Sequence, residues 1–373
     1  MNCDAIIRFK IKRIIYIIIL AIFLFCSKNT SNPVPEQFEQ AGKIDQLIAD
    51  YTEQDNFSGI VLIAKHGNVV YEKAVGYADR ENTIENRMDS RINLCSMGKM
   101  FTAVSILKLV QEGELRLDDN IGQFLNGFLE DIADNVTIHH LLSHTSGLRD
   151  YMAHSTYMDI IDNEPSISEL IELIKEETLQ FEPGLAFSYS NSGFVVLGAI
   201  IEHISGKEFP DYINENIFTP LNMNNSSVFP NFDCIPYYRN ESDQWEANTS
   251  VIPYPSADGG TTCTARDLFK FDVALHSYQL INKEYTDLMF TPVTRNILFS
   301  SIQGRAGYGY GSMIKSAAEN PGGKLSFGHN GQIPGLSHTY KHFPSGWVTI
   351  IVFSNYQTVG FEIEGKIEEI VFE

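Results

Sequence analysis

Two β-hairpin patterns lie near opposite ends of this chain, and helical patterns occupy the sequence between them. In the first, Ile60–Ala64 and Val69–Ala74 are runs rich in β-branched residues on either side of a His-Gly-Asn turn. The second surrounds Pro344–Gly346 within the stretch LSHTYKHFPSGWVTIIVFSNY. Strands at both ends of a chain predict one antiparallel sheet that is completed by both termini.

Segments between and after the hairpins have the apolar spacing of helices. They are Met97–Gln111, Ile138–Leu142, Ser168–Thr178, Gly193–Ile204, Ala265–His276 and Phe361–Phe372. The first is followed by Gly113, a residue type that commonly ends helices. The sequence therefore predicts an α+β fold, in which a mostly helical lobe meets an antiparallel sheet at a cleft. One interrupted domain explains this pattern better than two consecutive domains.

The first 26 residues differ from the rest of the chain. Basic residues at positions 8, 10, 12 and 13 precede the apolar run Ile14–Phe25, which is too short for a comfortable membrane span. A basic segment followed by such a run is typical of an export signal. We therefore predict a signal peptide, lipoprotein signal or membrane anchor over residues 1–26 and a polar linker over 27–41. The protein would be exported to the periplasm or cell envelope.

Cys26 follows the apolar run directly and is a candidate for lipid attachment after cleavage of the signal. Phe25 fits this poorly, because lipoprotein cleavage sites favour a small residue before the cysteine. An uncleaved anchor and ordinary cleavage nearby both stay open. Contact with the membrane is expected through the N-terminal segment or through a lipid on Cys26.

The composition excludes several kinds of partner and site. The formal net charge of −20 argues against a nucleic-acid partner, which would require a basic surface, and against attraction to anionic lipid. In the body of the chain the cysteines are Cys95, Cys234 and Cys263. Their spacing fits neither a disulfide framework nor a zinc site. Cys95 is predicted to be a small buried apolar residue rather than a nucleophile.

His140 and His144 are four residues apart in HHLLSH, a spacing that can place two metal ligands on one helix face. No glutamate lies between them, as a zinc protease would require, and no third ligand is evident. We predict a structural role for both residues, and no metal or other cofactor. The chain also has no G-x-S-x-G motif, which argues against a serine esterase of the α/β-hydrolase fold.

The stretch NLCSMGKMF contains Ser96 and Lys99, three residues apart at the start of a predicted helix. Residues at i and i+3 share a helix face, and Ser96 would lie near the positive end of the helix dipole. With Met97, Met100 and Phe101 as apolar neighbours, Lys99 is a candidate base for the serine proton. Taken alone, the pair also fits a polar edge on a buried helix.

Two further stretches carry polar residues suited to the same cleft. FSYSNSGFVVLG contains Tyr189 and Asn191 before a predicted helix, although Ser190 or Asn191 could equally cap that helix beside a buried tyrosine. FGHNGQIPG contains His329 and Gly331, and a glycine there would let a substrate lie close along the strand backbone. An ordinary turn is the alternative for this third stretch.

In the order S-x-x-K, Y-x-N and H-x-G, the motifs resemble those of the serine β-lactamase and penicillin-binding-protein superfamily. Within it the chain is most similar to the branch of class C β-lactamases and D-alanyl-D-alanine carboxypeptidases. The likeness includes VTIHHLLSHTSGLRDY, FEPGLAFSYSNSGFVVLGAIIEHISGK and GHNGQIPGLSHTYKHFPSGWVTIIVFSN. It implies a β-lactamase/transpeptidase-like domain over residues 42–373.

The resemblance implies roles for the residues of the cleft. Ser96 would be the nucleophile that forms an acyl-enzyme, and Lys99 would accept its proton. Tyr189 would pass the proton to the leaving group and help to activate the deacylating water. Asn191 would hold the substrate amide, and the backbone N–H groups of Ser96 and Gln332 would form the oxyanion hole. None of these roles requires a metal.

His329 stands where β-lactamases usually carry the lysine of K-T-G. By resemblance it would orient Tyr189 and help to bind a substrate carboxylate, with the substrate lying along Gly331. A titrating group in place of a permanent cation weakens the β-lactamase interpretation. Asn330, in the middle of the motif, makes recognition of a carboxylate less certain still.

We therefore expect an exported serine hydrolase that works through an acyl-serine. The expected activity is that of a D-Ala-D-Ala carboxypeptidase or D-amino-acid peptidase, acting on a small molecule or on a peptide such as a peptidoglycan stem. An esterase or amidase and a β-lactamase are alternatives on the same fold, and a binding protein that has lost turnover is the alternative outside enzymes. Residues 231–258 are predicted either to line the cleft with aromatic side chains or to form a surface loop.

Overall fold

Strands make up the framework of this fold. The computed structural model describes residues 38–229, 231–248, 254–298 and 305–373. Residues 1–26, including Cys26, and residues 27–37 of the predicted linker lie outside the described residues. The unit that contains the candidate site extends from Gln40 to Glu373. Its described strands are β1 Gly59–Lys65, β2 Asn68–Val75, β3 Tyr77–Asp79, β4 Ile84–Glu85, β5 Ile92–Asn93, β6 Tyr237–Arg239, β7 Trp245–Ala247, β8 Thr262–Cys263, β9 Thr294–Leu298, β10 Arg305–Tyr308, β11 Met313–Lys315, β12 Ser326–Ile333, β13 Leu336–Phe343 and β14 Val348–Ser354.

Along the sequence, one α-helix precedes β1, one follows β14, and the others lie between β2 and β9. They are α1 Ala41–Glu53, α2 Lys99–Glu112, α3 Glu130–Ala133, α4 Ile138–Leu142, α5 Tyr157–Ile160, α6 Ile167–Lys175, α7 Asn191–Ser205, α8 Phe209–Ile213, α9 Ala265–His276, α10 Lys283–Met289 and α11 Val359–Phe372. Among the residues that the structure describes, no helix combines the length and the apolar character needed to cross a bilayer.

The main sheet has the strand order β2-β1-β14-β13-β12-β11-β10-β9, and its neighbouring strands are antiparallel. The two predicted hairpins are β1–β2 and β13–β14. They are joined because β1 pairs with β14, where Ile60 lies opposite Phe353. Both ends of the domain therefore complete one sheet, and the predicted α+β architecture is confirmed.

The helix boundaries differ from the prediction most informatively at α2. The sequence predicts a helix from Met97, but α2 begins at Lys99 because Cys95–Gly98 form a tighter 3-10 turn in front of it. At its other end, Gly113 adopts a left-handed conformation with φ 80°, as a helix-ending glycine does. The helices predicted at Ile138–Leu142 and Ala265–His276 have the bounds of α4 and α9.

Adjacent residues of β13 show that helices cover both faces of the sheet. Side chains alternate between faces along a strand. The Tyr340 hydroxyl donates to Asp272 of α9 at 2.8 Å, whereas the Lys341 Nζ atom donates to Glu368 of α11 at 2.6 Å. His329 of β12 lies directly opposite Tyr340. Because paired residues share a face, His329 points to the side of α9.

Helix α2 runs through the interior of the helical lobe. Phe101 packs edge-on against Phe271 of α9 and against Phe218, with ring centroids 4.6 and 5.4 Å apart. Every residue from Lys99 to Leu107 is buried. Lysine is almost never fully buried unless its charge is paired or used, so Lys99 marks the beginning of α2 as a candidate site.

Candidate active site

Ser96 lies on the 3-10 turn that precedes α2, and its position depends on the residue before it. Cys95 has φ 52°, a left-handed conformation that residues with a Cβ seldom adopt. The Cys95 N–H donates to Asn93 Oδ1 at 2.7 Å, and the Leu94 N–H donates to the Thr261 carbonyl oxygen at 2.8 Å. These hydrogen bonds hold the strained turn that carries Ser96.

Lys99 is fully buried, and its amine has three polar neighbours. The Nζ atom lies 3.3 Å from Ser96 Oγ. It also donates to Asn191 Oδ1 at 2.7 Å and to the backbone carbonyl oxygen of Asp258 at 2.6 Å. Three elements of the fold, the turn before α2, the start of α7 and the segment before β8, therefore meet at one nitrogen atom.

The hydrogen bonds around Lys99 determine what its amine can do. The Asn191 and Asp258 carbonyl oxygens can only accept hydrogen bonds, so each takes one N–H group. A neutral amine has two N–H groups and one lone pair, and the lone pair is then left for Ser96. Lys99 is thus arranged to accept the proton of the serine hydroxyl.

Asn191, the first residue of α7, connects Lys99 to a half-buried acidic residue. Its Nδ2 atom donates to Asp150 Oδ2 at 2.8 Å, and its backbone N–H donates to the same oxygen at 3.2 Å. Burial raises the pKa of the Asp150 carboxyl. Both ends of the Asn191 amide are therefore engaged by the protein, and contact with a substrate amide stays a prediction.

Tyr189 and Phe194 lie against the Lys99 amine. The Nζ atom is 5.0 Å from the centroid of the Tyr189 ring and 5.5 Å from that of the Phe194 ring. Contact with aromatic faces stabilises the ammonium group that forms when Lys99 accepts the serine proton. The structure thus brings Ser96, Lys99 and Tyr189 together, while the role of Tyr189 in proton transfer stays a prediction.

A chain of hydrogen bonds runs from His144 through Tyr308 to His329. The Ser190 N–H donates to His144 Nδ1 at 3.2 Å, so the proton of a neutral His144 is on Nε2, 3.1 Å from the Tyr308 hydroxyl. His329 Nδ1 lies 2.7 Å from the Asn330 carbonyl oxygen and must donate to it. His329 Nε2 therefore accepts from the Tyr308 hydroxyl, at 3.0 Å.

His144 and His329, the two histidines in this chain of hydrogen bonds, are neutral near pH 7. Burial lowers the pKa of His144 well below its usual value, and the charge of Lys99 acts in the same direction. Burial, followed by the charge of Lys99, lowers the pKa of His329 to about 3. The His144 ring packs 4.2 Å from the Tyr189 ring, centroid to centroid. Through this ring contact, the neutral hydrogen-bonded chain supports Tyr189 and adds no positive charge beside Lys99.

His140 has a separate, local role. The Thr137 N–H donates to His140 Nδ1 at 3.2 Å, and the His140 N–H donates to Thr137 Oγ1 at 3.3 Å, which closes a capping box at the start of α4. His144 lies in the chain described above. His140 and His144 therefore do not share a ligand site.

Among the described residues, the one group with ligand atoms close enough for a metal is Asp272, His276 and His342, whose atoms lie within 4.8 Å of one another. The Asp272 carboxylate already interacts with His342 Nδ1 at 2.9 Å and accepts hydrogen bonds from Tyr340 at 2.8 Å and Thr349 at 2.6 Å. The rings of His276 and His342 stack 3.5 Å apart. These contacts satisfy the group internally and connect α9 to β13 and β14.

The whole sequence was compared with known protein families, and the result agrees with the serine-hydrolase site that Ser96, Lys99 and Tyr189 form. The family model described as Beta-lactamase matches residues 44–369. The chain belongs to the β-lactamase family. The predicted superfamily is confirmed, and the protein is a serine hydrolase of this family.

Relatives of this β-lactamase-family protein include enzymes with different names. A penicillin-binding protein of Bacillus subtilis (strain 168) is 32% identical over 336 residues, which cover 84% of this chain and 71% of the relative. A D-aminopeptidase of Brucella anthropi is 28% identical over 328 residues, covering 84% of this chain and 58% of the relative. The crystal structure of a penicillin-binding protein from Bacillus halodurans is 29% identical with a TM-score of 0.75, covering 87% of this chain and 98% of that chain. The predicted β-lactamase/transpeptidase-like fold is confirmed.

In this member of the β-lactamase family, Gly331 lets β12 approach the turn that carries the serine. A Cβ atom at position 331 would lie 2.2 Å from the Leu94 carbonyl oxygen and 3.3 Å from the Cys95 side chain. The observed reason for a glycine is therefore this close packing of backbone on backbone. Gln332 follows and lines a cavity together with Ser96, and its oxyanion role stays a prediction.

The placement of His329 differs from the role that the resemblance implies. Its side chain is buried, and both ring nitrogens are engaged, by Tyr308 and by the Asn330 carbonyl oxygen. His329 Nε2 is hydrogen-bonded to Tyr308, and the role of His329 in orienting Tyr189 stays a prediction. A neutral ring with occupied nitrogens offers a substrate carboxylate neither a donor nor a charge. His329 as placed is a supporting residue of the site.

A cavity of about 160 Å³ adjoins Ser96. Its aromatic wall is formed by Tyr151, Tyr157 and Tyr254, with Asp258 beside them. The end of the segment 231–258 therefore lines the cleft. Trp245, from the middle of that segment, stacks on Tyr356 instead, with ring centroids 3.9 Å apart.

The three cysteines among the described residues take no part in this chemistry. Cys95, Cys234 and Cys263 are free thiols and buried. Burial raises the pKa of each thiol above its usual value, which disfavours the reactive thiolate. Cys95 is therefore a buried apolar neighbour of Ser96, as the sequence predicts.

Several residues of the site are missed by the motif analysis. Asp150 belongs to the stretch VTIHHLLSHTSGLRDY, so an acidic residue in a recognised stretch was the available signal. Tyr308, in GYGYG, lies outside the stretches that carry the resemblance. Asp258 contacts Lys99 through its backbone carbonyl. Every residue type has that group, so the sequence carries no signal for this contact.

Proposed function

We propose that this serine hydrolase is a D-amino-acid peptidase that cleaves a peptide or amide bond on the carboxyl side of a D-residue. The observation that carries the proposal is the 3.3 Å approach of Lys99 Nζ to Ser96 Oγ, with the remaining amine N–H groups held by Asn191 and Asp258. This arrangement activates a serine for acyl transfer. The relative named D-aminopeptidase supports the choice of substrate class.

In the acylation step, Lys99 takes the Ser96 proton as Oγ attacks the substrate carbonyl carbon. The bond between Oγ and that carbon forms, and the carbon–nitrogen bond to the leaving amine then breaks. Tyr189, next to Lys99, returns the proton to the leaving nitrogen. The predicted backbone donors, the N–H groups of Ser96 and Gln332, stabilise the oxyanion of the intermediate.

In the deacylation step, water attacks the acyl carbon of acyl-Ser96. The water proton passes through the pair of Tyr189 and Lys99, and the bond between carbon and Oγ breaks. The acid product leaves, and Ser96 regains its hydrogen. The step uses only side chains that the structure places around one amine.

The charges around the cavity favour a peptidase over a D-Ala-D-Ala carboxypeptidase. A carboxypeptidase must bind the terminal carboxylate of its substrate, which a cation does best. Among the described residues that line the cavity beside Ser96, none is an arginine or lysine, Lys99 is used by the serine, and His329 is neutral. We therefore place the carboxypeptidase and the β-lactamase second.

The testing experiment is mass spectrometry of the purified protein with four compounds. They are D-alanine p-nitroanilide, a peptide ending in D-Ala-D-Ala, a fluorescent penicillin and a short-chain aryl ester. We expect nitroaniline release that requires Ser96 and is abolished by Ser96→Ala with the fold retained. Release of D-Ala with a penicilloyl adduct on Ser96 would favour the carboxypeptidase, and ester turnover alone would favour an esterase. No adduct and no product would point to a binding protein that has lost turnover.

We also propose that the protein is exported and reaches the membrane through residues 1–26. The support is the basic segment followed by the apolar run Ile14–Phe25. Fractionation with labelled palmitate tests this proposal. Incorporation that Cys26→Ser abolishes would establish a lipid anchor, whereas unlabelled protein in the cytoplasmic fraction would contradict export.

A further inference from the structure

The cavity beside Ser96 contains a carboxyl group that the acyl-transfer steps do not use. The Asp258 side chain is buried, with 3% of the residue exposed. Its Oδ2 atom accepts a hydrogen bond from the Tyr151 hydroxyl at 3.1 Å, and its Oδ1 atom accepts one from the Ser256 hydroxyl. Asp258 and both of these donors line the cavity that contains Ser96.

The charges of this cavity are unbalanced within the described part of the chain. Asp258 and Asp150 are close enough that the negative charge of the first contributes to raising the pKa of the second, after burial. The Lys99 amine lies between them, since it bonds the Asp258 carbonyl oxygen and, through Asn191, contacts Asp150. Asp258 forms no side-chain ion pair among the described residues. The Asp258 carboxyl group, which lines the cavity, therefore has hydroxyl donors but no cationic side chain bonded to it among the described residues.

The walls of the cavity suit a small cation. Tyr254 lies between the other two tyrosines, since its hydroxyl lies 2.7 Å from that of Tyr151 and 3.3 Å from that of Tyr157. The Tyr151 and Tyr157 rings pack edge-on with centroids 5.4 Å apart. Aromatic rings combined with one carboxyl group are the surroundings that bind ammonium groups. The volume of about 160 Å³ fits a small aminoacyl group.

We propose that Asp258 binds the free α-ammonium group of the substrate's acyl residue and so determines specificity for unblocked aminoacyl substrates. The α-amino group of a peptide is mostly protonated at pH 7, so it reaches the cavity as a cation. This inference rests on the proposed function, because it concerns the acyl group that Ser96 receives. It adds that the substrate is recognised by its amino end, and that a substrate without that charge is rejected.

The test compares two anilides of nearly equal size on the full-length protein in detergent. D-Alanine p-nitroanilide carries the ammonium group, and D-lactoyl p-nitroanilide carries a neutral hydroxyl in its place. We expect wild-type kcat/KM to be about 10- to 100-fold higher for the alanine compound, the size of effect of a hydrogen bond to a charged group. Asp258→Asn is expected to lower kcat/KM for the alanine compound far more than for the lactoyl compound, so that the ratio of the two falls toward one.

The matched control is Asp159→Asn, which removes the same charge from an exposed position on α5, two residues beyond Tyr157. It is expected to retain the wild-type preference. Asp258 also holds Lys99 through its backbone, and a displaced Lys99 would lower turnover of both compounds alike. An equal loss for both compounds, or a wild-type preference close to one, would overturn the proposal.

A binding measurement separates failure of this inference from failure of the proposed function. Calorimetry with Ser96→Ala compares D-alaninamide with D-lactamide without any turnover. Preferential binding of D-alaninamide that Asp258→Asn abolishes would support the ammonium site even if wild-type protein hydrolyses neither anilide. Equal binding of the two amides would overturn the ammonium site even if the anilides are hydrolysed.

Discussion

Asn191 Oδ1 accepts a 2.7 Å hydrogen bond from Lys99 Nζ, and this contact fixes the direction in which the amine can act. Because the Asn191 amide is itself anchored on Asp150, the oxygen cannot rotate away from the lysine. The remaining N–H group of a neutral amine goes to the Asp258 carbonyl oxygen. Only the direction of Ser96 is left for the lone pair.

Asn191→Leu is therefore expected to lower kcat/KM for the anilide about 10- to 100-fold. The ammonium group that forms when Lys99 accepts the serine proton would lose a hydrogen bond, a loss of about 1.5–3 kcal/mol, and the amine would no longer be held toward Ser96. Steady-state kinetics measures the loss. Asn135→Ala, at a position where the amide bonds only a nearby backbone carbonyl at the surface, should retain wild-type rates. Unchanged kinetics of Asn191→Leu would contradict the positioning role.

Gly331→Ala tests the close approach of β12 to the serine turn. The new methyl group would lie 2.2 Å from the Leu94 carbonyl oxygen, so the backbone must shift, at a cost of about 1–3 kcal/mol. We expect a lower melting temperature and a larger fall in activity, since Ser96 moves with the turn. In Gly42→Ala, where nothing lies within 4 Å of the added methyl in α1, stability should be equal or higher. Equal melting temperatures for the two variants would contradict this account.

The large-scale fold could be predicted from the sequence because its signals are local. The runs at Ile60–Ala64 and Val69–Ala74 alternate and turn within a few residues, and the observed strands are one residue longer at each end. The joining of β1 to β14 followed from the presence of strands at both ends of the domain. The start of α2 could not be predicted, since the helical pattern continues through the 3-10 turn that the contacts of Leu94 and Cys95 impose.

The site was predictable only where residue type carries the chemistry. Ser96, Lys99 and Tyr189 are distinctive side chains in distinctive motifs, and they meet in the structure. The chain from His144 to His329 depends on Tyr308, which is distant from both in sequence and is joined to them by the sheet and α4. Hydrogen bonds between residues that are far apart in the sequence produce no regular spacing from which they could be predicted.

A buried lysine on the opposite face of the sheet allows a stability prediction. Lys341 Nζ lies 2.8 Å from Glu364 and 2.6 Å from Glu368, and all three side chains are at most 8% exposed. Lys341→Met would leave two carboxyl groups buried without this partner, so we expect a loss of about 3–5 kcal/mol in the free energy of unfolding. Lys43→Met removes the exposed pair with Glu373 and should cost at most about 1 kcal/mol. Denaturant unfolding that gave similar losses for both would contradict the prediction.

Acidification is expected to destabilise the protein well above the range in which carboxylates titrate. Burial lowers the pKa of His276, His329 and His338 to about 3, whereas histidines in an unfolded chain have a pKa of about 6.5. Between these values the unfolded chain binds more protons than the folded chain, so the free energy of unfolding decreases as the pH falls from about 6.5 toward 3. Each histidine contributes up to about 1.4 kcal/mol per pH unit.

Denaturant unfolding at pH 7.5, 6.5, 5.5 and 4.5 measures this slope, and a variant assigns part of it. His329→Gln removes one of these titrating groups, so its stability should fall less steeply below pH 6.5 than that of the wild type. His66→Asn is the comparison variant, because it removes a histidine from the exposed turn between β1 and β2. A wild-type stability that is constant or rises from pH 6.5 to 4.5 would mean that these rings accept protons in the folded protein. The neutral chain from His144 to His329 would then be wrong.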